Sequence, residues 1–398
     1  MNSAAAFLEM ADRLGARICR DALWDGGRCN WVAGYEARVG KDGVDYQALD
    51  PSLYRGTSGI ALFLARLARA TGEKIFRDTA EGALRQALSQ KDRWQADKGN
   101  GFYSGLAGLA YALIHCGESF LSEGVELGQI AFALPCAQQY DLIEGAAGVV
   151  VTALHFYRAT GGWVFLEAAV RHGETLRQAA RRSGNGWSWP TLVPSAQPDR
   201  PDLNGFAHGA AGIAWALLEL WHATGETKFR TAAEEGFRYE QSRFSAEHGN
   251  WPDLRERFYQ NPATRYSTMW CHGAAGIAFS RLRAAQLTGE PQYREQAQVA
   301  LATVERGLQS WGNCCLCHGL FGSIDLLLYA HTPQRIEMAH GVAQAAMDQY
   351  AERRLPWPCG VPGGPETPDL MLGLAGIGHT LLRLTDPAAF SSPLMVDC

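Results

Sequence analysis

The chain has 398 residues, 47% of them hydrophobic and 19% charged, with 36 basic against 41 acidic side chains. Such a make-up belongs to an ordinary globular protein with a large core, and a net charge of −5 without any block of like charge offers nothing to nucleic acid or an anionic membrane. No apolar run approaches the roughly 18 residues of a membrane span, and ten cysteines spread over so long a chain read as reduced thiols, some of them metal ligands.

The N-terminus lacks a basic region and meets acids early. Ser3 to Leu23 is therefore expected to be an amphipathic helix, not a signal peptide, and the protein to be cytoplasmic. From there the sequence repeats itself. A Gly-x-x-Gly pair recurs seven times, each followed by a helical apolar pattern: Gly56–Gly59, Gly105–Gly108, Gly145–Gly148, Gly209–Gly212, Gly273–Gly276, Gly319–Gly322 and Gly373–Gly376. The starting glycines lie 49, 40, 64, 64, 46 and 54 residues apart, a loose period whose insertions fall between units.

Between the pairs, helices charged on one side are expected over Lys74–Lys91, Glu118–Leu134, Val164–Arg182, Thr227–Phe244, Gln292–Leu308 and Gln334–Arg354. The glycine-led helices are apolar around their circumference, which predicts burial on all sides. Thr71-Gly72, Thr224-Gly225 and Thr288-Gly289 are expected helix stops. Seven outer and inner partners, with no polar cap at either end, predict an all-α fold closed into a double ring, an α/α toroid of seven outer and seven inner helices. The expectation is one domain over residues 1–398, with an open solenoid as the alternative. Two long insertions, Ser183–Asn204 and Ser245–Met269, precede glycine-led helices and belong on the rim where substrate contacts are expected.

The residues just before the glycine pairs carry the chemistry. Asp141 and Glu144 precede the third pair, His208 the fourth, Cys271 with His272 the fifth, and Cys317 with His318 the sixth. Helix N-termini favour thiolates through their unpaired N–H groups and dipole. Cys271, Cys317 and His318 would make a three-ligand zinc site with its fourth position open, as catalytic zinc has; His272 as a fourth ligand would close it. Spacing alone does not choose between His272 and His318, nor exclude Cys315. Two thiolate ligands make zinc a poorer Lewis acid, which favours holding a substrate thiolate over polarising a carbonyl. The chain has neither a His-Glu-x-x-His helix nor the Gly-Lys-Ser/Thr ending of a phosphate loop, so the usual metalloprotease and nucleotide readings fail.

His208 is the candidate acid and base, its ordinary pKa lying near neutrality. Asp141 either orients an imidazole or caps a helix. Trp187, Trp189 and Trp270 serve either as an apolar wall for a peptide or as core. Cys19, Cys29, Cys116, Cys136, Cys359 and Cys398 read as structural or incidental.

Tyr140-Asp-Leu-Ile-Glu-Gly-Ala-Ala-Gly148, His208-Gly-Ala-Ala-Gly212, Trp270-Cys-His-Gly-Ala-Ala-Gly276 and Leu316-Cys-His-Gly-Leu-Phe-Gly322 resemble the lanthionine synthetase cyclases, the LanC-like family. Leu370-Met-Leu-Gly-Leu-Ala-Gly-Ile-Gly378 looks like that family's last repeat, so the resemblance covers nearly the whole chain. It implies the seven-plus-seven α/α toroid and the zinc ligands Cys271, Cys317 and His318. It also implies a reaction, the addition of precursor-peptide cysteine thiols to dehydroalanine or dehydrobutyrine to close thioether rings. His208 matches the family's proton-transfer histidine and Asp141 the aspartate close to it, with His272 as a third catalytic candidate. His272 stands where some members carry Tyr. Ser267 stands where some carry Arg, and Arg265 lies nearby.

The chain has no room for a dehydratase or kinase domain, so a dehydrated precursor peptide and a separate dehydratase with other modification enzymes are the expected partners. Nucleic acid and membrane insertion are not expected. The alternatives are another zinc thiol-alkylating enzyme, such as a prenyltransferase subunit or a glutathione-conjugating enzyme, and a non-catalytic protein that binds thiol peptides or glutathione or serves as a scaffold.

Overall fold

A computed structural model describes residues 3–36, 44–136, 139–191, 200–255, 258, 260–261 and 264–397. Cys398 and the middle of the Ser183–Asn204 insertion lie outside the described residues. The fold is mostly helical, and helices and strands are numbered in chain order. The first helix, α1 (Ser3–Arg20), buries Phe7, Met10, Ala11, Leu14 and Ile18, the spacing that puts one stripe of a helix on a core.

The seven glycine pairs open seven helices: α2 (Thr57–Thr71), α5 (Leu106–His115), α7 (Ala146–Thr160), α9 (Ala210–Thr224), α11 (Ala274–Thr288), α13 (Leu320–Ala330) and α15 (Leu374–Thr385). Ile60 through Leu64 and Ile213 through Leu218 are buried without a break, so these helices face core on every side, as expected. The helices between them are α3 (Lys74–Ser89), α4 (Lys91–Lys98), α6 (Leu121–Ala133), α8 (Trp163–Ala179), α10 (Thr227–Gln241), α12 (Pro291–Gly307) and α14 (Pro333–Met347). In α10 the buried side is Phe229, Ala232, Ala233 and Phe237, while Arg230, Glu234, Glu235 and Arg238 form ion pairs.

The expected stops have a shared geometry. Gly72, Gly225 and Gly289 sit at φ of 77°, 74° and 73°, left-handed values that a side chain resists. The preceding threonine turns its hydroxyl back to the carbonyl four residues earlier (Thr71 to Leu67, 2.9 Å). It then accepts the N–H two residues on (Glu73, 3.2 Å). Thr160-Gly161 uses the same device.

Some boundaries differ from the periodicity. Ser3–Leu23 ends as helix at Arg20, and Leu23 starts a hairpin of β1 (Leu23–Asp25) and β2 (Arg28–Asn30) around Gly26-Gly27, both at positive φ. Val164–Arg182 ends at Ala179, because Gly184-Asn185 turns the chain between β5 (Arg181–Ser183) and β6 (Gly186–Ser188). With β3 (Val32–Glu36) and β4 (Val44–Ala48), the described residues add three two-stranded antiparallel sheets to a fold expected to be all-α. Gln334–Arg354 passes at Asp348 into one π turn over Asp348–Glu352.

Contacts divide the chain into two compact units. One comprises Met1–Asp97, Gly108–Glu126 and Ser310–Met395, the other Lys98–Ala107, Leu127–Gln309 and Val396–Cys398. In the first, α15 packs between α2 and α13, and α1 lies against α15. Behind them Arg383 pairs with Asp325, which also accepts the Ser392 hydroxyl. Arg66 donates to Ser391 O (2.9 Å) and Oγ (3.0 Å), tying the C-terminal segment down. In the second unit α9 packs between α7 and α11, and each of the three carries an outer partner, α8, α10 or α12.

Candidate active site

The Gly-x-x-Gly pair has a steric cause. A Cβ on the second glycine would lie 2.0 to 2.4 Å from the carbonyl oxygen six residues back: Leu53 for Gly59, Leu142 for Gly148, Phe206 for Gly212, Trp270 for Gly276, Leu316 for Gly322 and Leu370 for Gly376. The rim segment thus doubles back onto the first turn of its helix, and a methyl group would push it off. Gly273 is the one first glycine at positive φ (98°), with Ser267 O where a Cβ would go.

This loop holds its tip through main-chain bonds between neighbouring repeats, at the residue two before the first glycine or, for the Leu142 N–H, three before it. In the second unit Ala207 N donates to Cys271 O (3.1 Å), Leu142 N to Ala207 O (3.1 Å) and Tyr103 N to Ile143 O (3.1 Å). In the first, Cys317 N donates to Met371 O (3.0 Å) and Met371 N to Tyr54 O (2.9 Å). Cys271 and Cys317 therefore occupy one structural position, and His208, His272 and His318 the next.

In the second unit these positions bring Asp141, His208, Cys271 and His272 together. His208 Nδ1 donates to Asp141 Oδ2 at 2.6 Å; a carboxylate only accepts, so the ring's other nitrogen, Nε2, is left to exchange a proton. Asp141 Oδ1 accepts the Glu144 N–H (2.8 Å), so the residue both orients the imidazole and caps its own turn. Asp141 is buried, whereas His208 is 25% exposed. Burial alone would lower the His208 pKa. The charge and hydrogen bond of Asp141, helped by Cys271, outweigh it and leave the pKa raised above its ordinary value.

His272 stacks on His208, the ring centroids 5.9 Å apart and 20° from parallel. It is fully buried, and neither ring nitrogen has a hydrogen-bond partner among the described residues. Burial, then Arg255, then His208 hold its pKa well below the ordinary value, so it is neutral. Gly205 makes room for it: a Cβ there would lie 2.6 Å from His272 Nδ1 and 2.7 Å from Cys271 O.

Two further residues, without any mark in the sequence pattern, belong to the site. Asp253, fully buried, lies 3.7 Å from His272 Nδ1 through Oδ1, and Arg255 forks onto it through Nε (3.1 and 3.2 Å) and Nη2 (2.7 Å). Both come from the Ser245–Met269 insertion, expected on the rim, but no periodicity marks an Asp-x-Arg in a loop. Arg265 contributes its main-chain carbonyl, which accepts Asp253 N at 2.6 Å. Trp189 and Trp270 are core: Trp189 Nε1 donates to Leu176 O (2.7 Å), and Trp270 packs edge-on to Tyr103 and Phe206. Trp187 lies under the Arg182 guanidinium.

In the first unit Cys317 is buried, and His318 Nε2 donates to Gly360 O at 3.0 Å. That bond puts the imidazole lone pair on Nδ1. A metal-binding histidine anchors its second nitrogen in this way. Cys315 accepts the His318 N–H (3.4 Å). Cys314 and Cys359 are buried thiols pushed upward by desolvation, Cys359 to about 12. Among the described residues no three His, Cys, Asp or Glu side chains form a group that could hold a metal ion. In this unit the buried Cys317 thiol and the His318 imidazole with its tautomer fixed are donors of the kind that suits zinc and not a hard cation.

The fold is similar to that of nisin cyclase, which matches with a TM-score of 0.65 at 17% identity, covering 86% of this chain and 90% of that one. The lanthionine synthetase C-like protein family matches residues 47–395, and the chain belongs to that family. Nisin biosynthesis protein NisC of Lactococcus lactis subsp. lactis is 23% identical over 331 residues, 74% of this chain and 77% of that protein. Glutathione S-transferase LANCL1 of Danio rerio is 27% identical over 363 residues, 85% of this chain and 84% of that protein. Lacticin 481/lactococcin biosynthesis protein LcnDR2 of Lactococcus lactis subsp. lactis is 25% identical over 198 residues, 46% of this chain, which spans only 21% of that longer protein. No helix among the described residues is long and apolar enough to cross a membrane.

Proposed function

We propose that the protein is a zinc-dependent thioether-forming cyclase, a single domain built as an α/α toroid of seven outer and seven inner helices. Its reaction is the addition of cysteine thiols of a dehydrated precursor peptide to dehydroalanine or dehydrobutyrine. The observation that carries the reading is the Asp141–His208 pair beside Cys271, a buried acid holding a partly exposed imidazole at the repeat position that follows the one a thiol takes at Cys271. Held by Cys271, Cys317 and His318, a zinc ion with an open position would keep the incoming cysteine as thiolate.

When that sulfur bonds to the β-carbon, the double-bond pair moves onto the acceptor's carbonyl oxygen, and the α-carbon then needs a proton. His208 supplies it from Nε2, while Asp141 fixes Nδ1–H and stabilises the imidazolium between turnovers. The proton lost by the thiol thus ends on the α-carbon through His208. His272, neutral and buried, holds the His208 ring plane from behind. The protein would act in the cytoplasm beside a separate dehydratase. The test is thiol titration of a dehydrated, cysteine-containing precursor: free thiol is consumed at unchanged peptide mass, and an unchanged titre rejects cyclisation.

A second reading, conjugation of glutathione, draws support from the match to LANCL1 over 85% of the chain. The same proton transfer would serve it. Addition of glutathione raises the mass of a dehydrated peptide, whereas ring closure does not, so one mass spectrum separates the two.

A further inference from the structure

We infer that Arg255 is the anion-binding side chain beside the Asp141–His208 pair, receiving the acceptor oxygen that turns negative as sulfur bonds to the β-carbon. The inference rests on the thioether-forming reading and assigns the charge which that reading leaves without a partner.

Two carboxylate–cation pairs share one plan in the second unit. Asp141 is buried behind a His208 that is 25% exposed, and Asp253 is buried behind an Arg255 that is 27% exposed. His272 lies between them, stacked on His208 and 3.7 Å from Asp253. The guanidinium is fixed before any ligand arrives. Its Nε–Nη2 edge is forked onto Asp253, its own N–H donates to the same Asp253 Oδ1 at 3.0 Å, and one face covers the Phe258 ring at 4.5 Å. A cation locked in this way costs no reordering when charge develops in front of it, which is what stabilisation of an oxyanion requires. The chemistry divides accordingly: His208 delivers the proton to the α-carbon, and Arg255 holds the oxygen that carries the electron pair until it does.

The test uses the full-length protein and two stable thioether peptides, one with an ordinary amide at the acceptor residue and one with a phosphinate in its place. Calorimetry is expected to give wild type a preference for the anionic peptide on the order of tenfold or more. Arg255→Gln should bring the ratio near one, with metal content unchanged. The double variant Asp253→Asn/Arg255→Gln, neutral at both positions, should do the same without leaving a buried carboxylate unpaired. Equal affinities in wild type, or a preference that survives in the variants, would overturn the assignment. Thiol consumption is measured separately: a wild type that keeps the anionic preference yet never consumes thiols removes the cyclase reading and leaves the anion site standing.

Discussion

At the scale of single residues, His208 is the group whose replacement is most informative. His208→Asn is expected to keep the metal content and slow thiol consumption by about 10²–10⁴-fold, the usual worth of a positioned acid. Loss of metal in that variant would mean that the imidazole is a ligand. Asp141→Asn removes the main groups that raise the His208 pKa, leaving only Cys271 against the burial that lowers it. The imidazolium should then be scarce at neutral pH, and the activity that remains should move to lower pH; a pH–rate profile identical to wild type would deny the pair its role. His208 and Asp141 were legible because they sit at fixed offsets from a glycine pair. Arg255 and Asp253 were not, because a loop carries no period and only folding sets Asp253 beside His272. The tryptophans show the converse. Apolar wall and core read alike in a sequence, and only burial separates Trp189 from Trp187.

At the scale of elements, the glycines divide into those that make room and those that do not. Gly212→Ala puts a methyl group 2.0 Å from Phe206 O, which is main chain and cannot swing aside, so a loss of about 2 kcal/mol is expected in urea unfolding. Gly341, exposed within α14, meets nothing within 4 Å, and Gly341→Ala should gain about 0.5–1 kcal/mol from helix propensity. Equal effects at the two sites would contradict the close approach of rim to helix. The helix starts were readable because glycine pairs and apolar runs are local. The ends drifted where a turn intervened, as at Gly184-Asn185 after α8, because a charged amphipathic pattern continues past the point where the backbone leaves the helix.

At the scale of the whole molecule, buried neutral histidines tie stability to pH. His379 accepts from Arg66, and burial with Arg66 and Arg383 holds its pKa well below the ordinary value; burial lowers that of His172. The unfolded chain takes up protons near pH 6.5 that the folded one refuses. Their contribution is therefore complete above about pH 6.5 and is lost as the pH falls below it. Urea midpoints should drop between about pH 7.5 and pH 5, and a flat profile would show that these histidines titrate freely. In the first unit, Asp325→Ala leaves the buried Arg383 without its acid and should cost about 3–5 kcal/mol in thermal unfolding.

The sequence alone determined the seven glycine-led helices, their burial, most of their stops and the places of Cys271, His272, Cys317 and His318 just ahead of two of those helices, because each depends on neighbours within one helix or one turn. Only the tertiary structure decided that Asp141 meets His208 across 67 residues and that Arg255 leans on Asp253 beside His272. Those contacts depend on how separate helices and loops stack, and no local pattern encodes that.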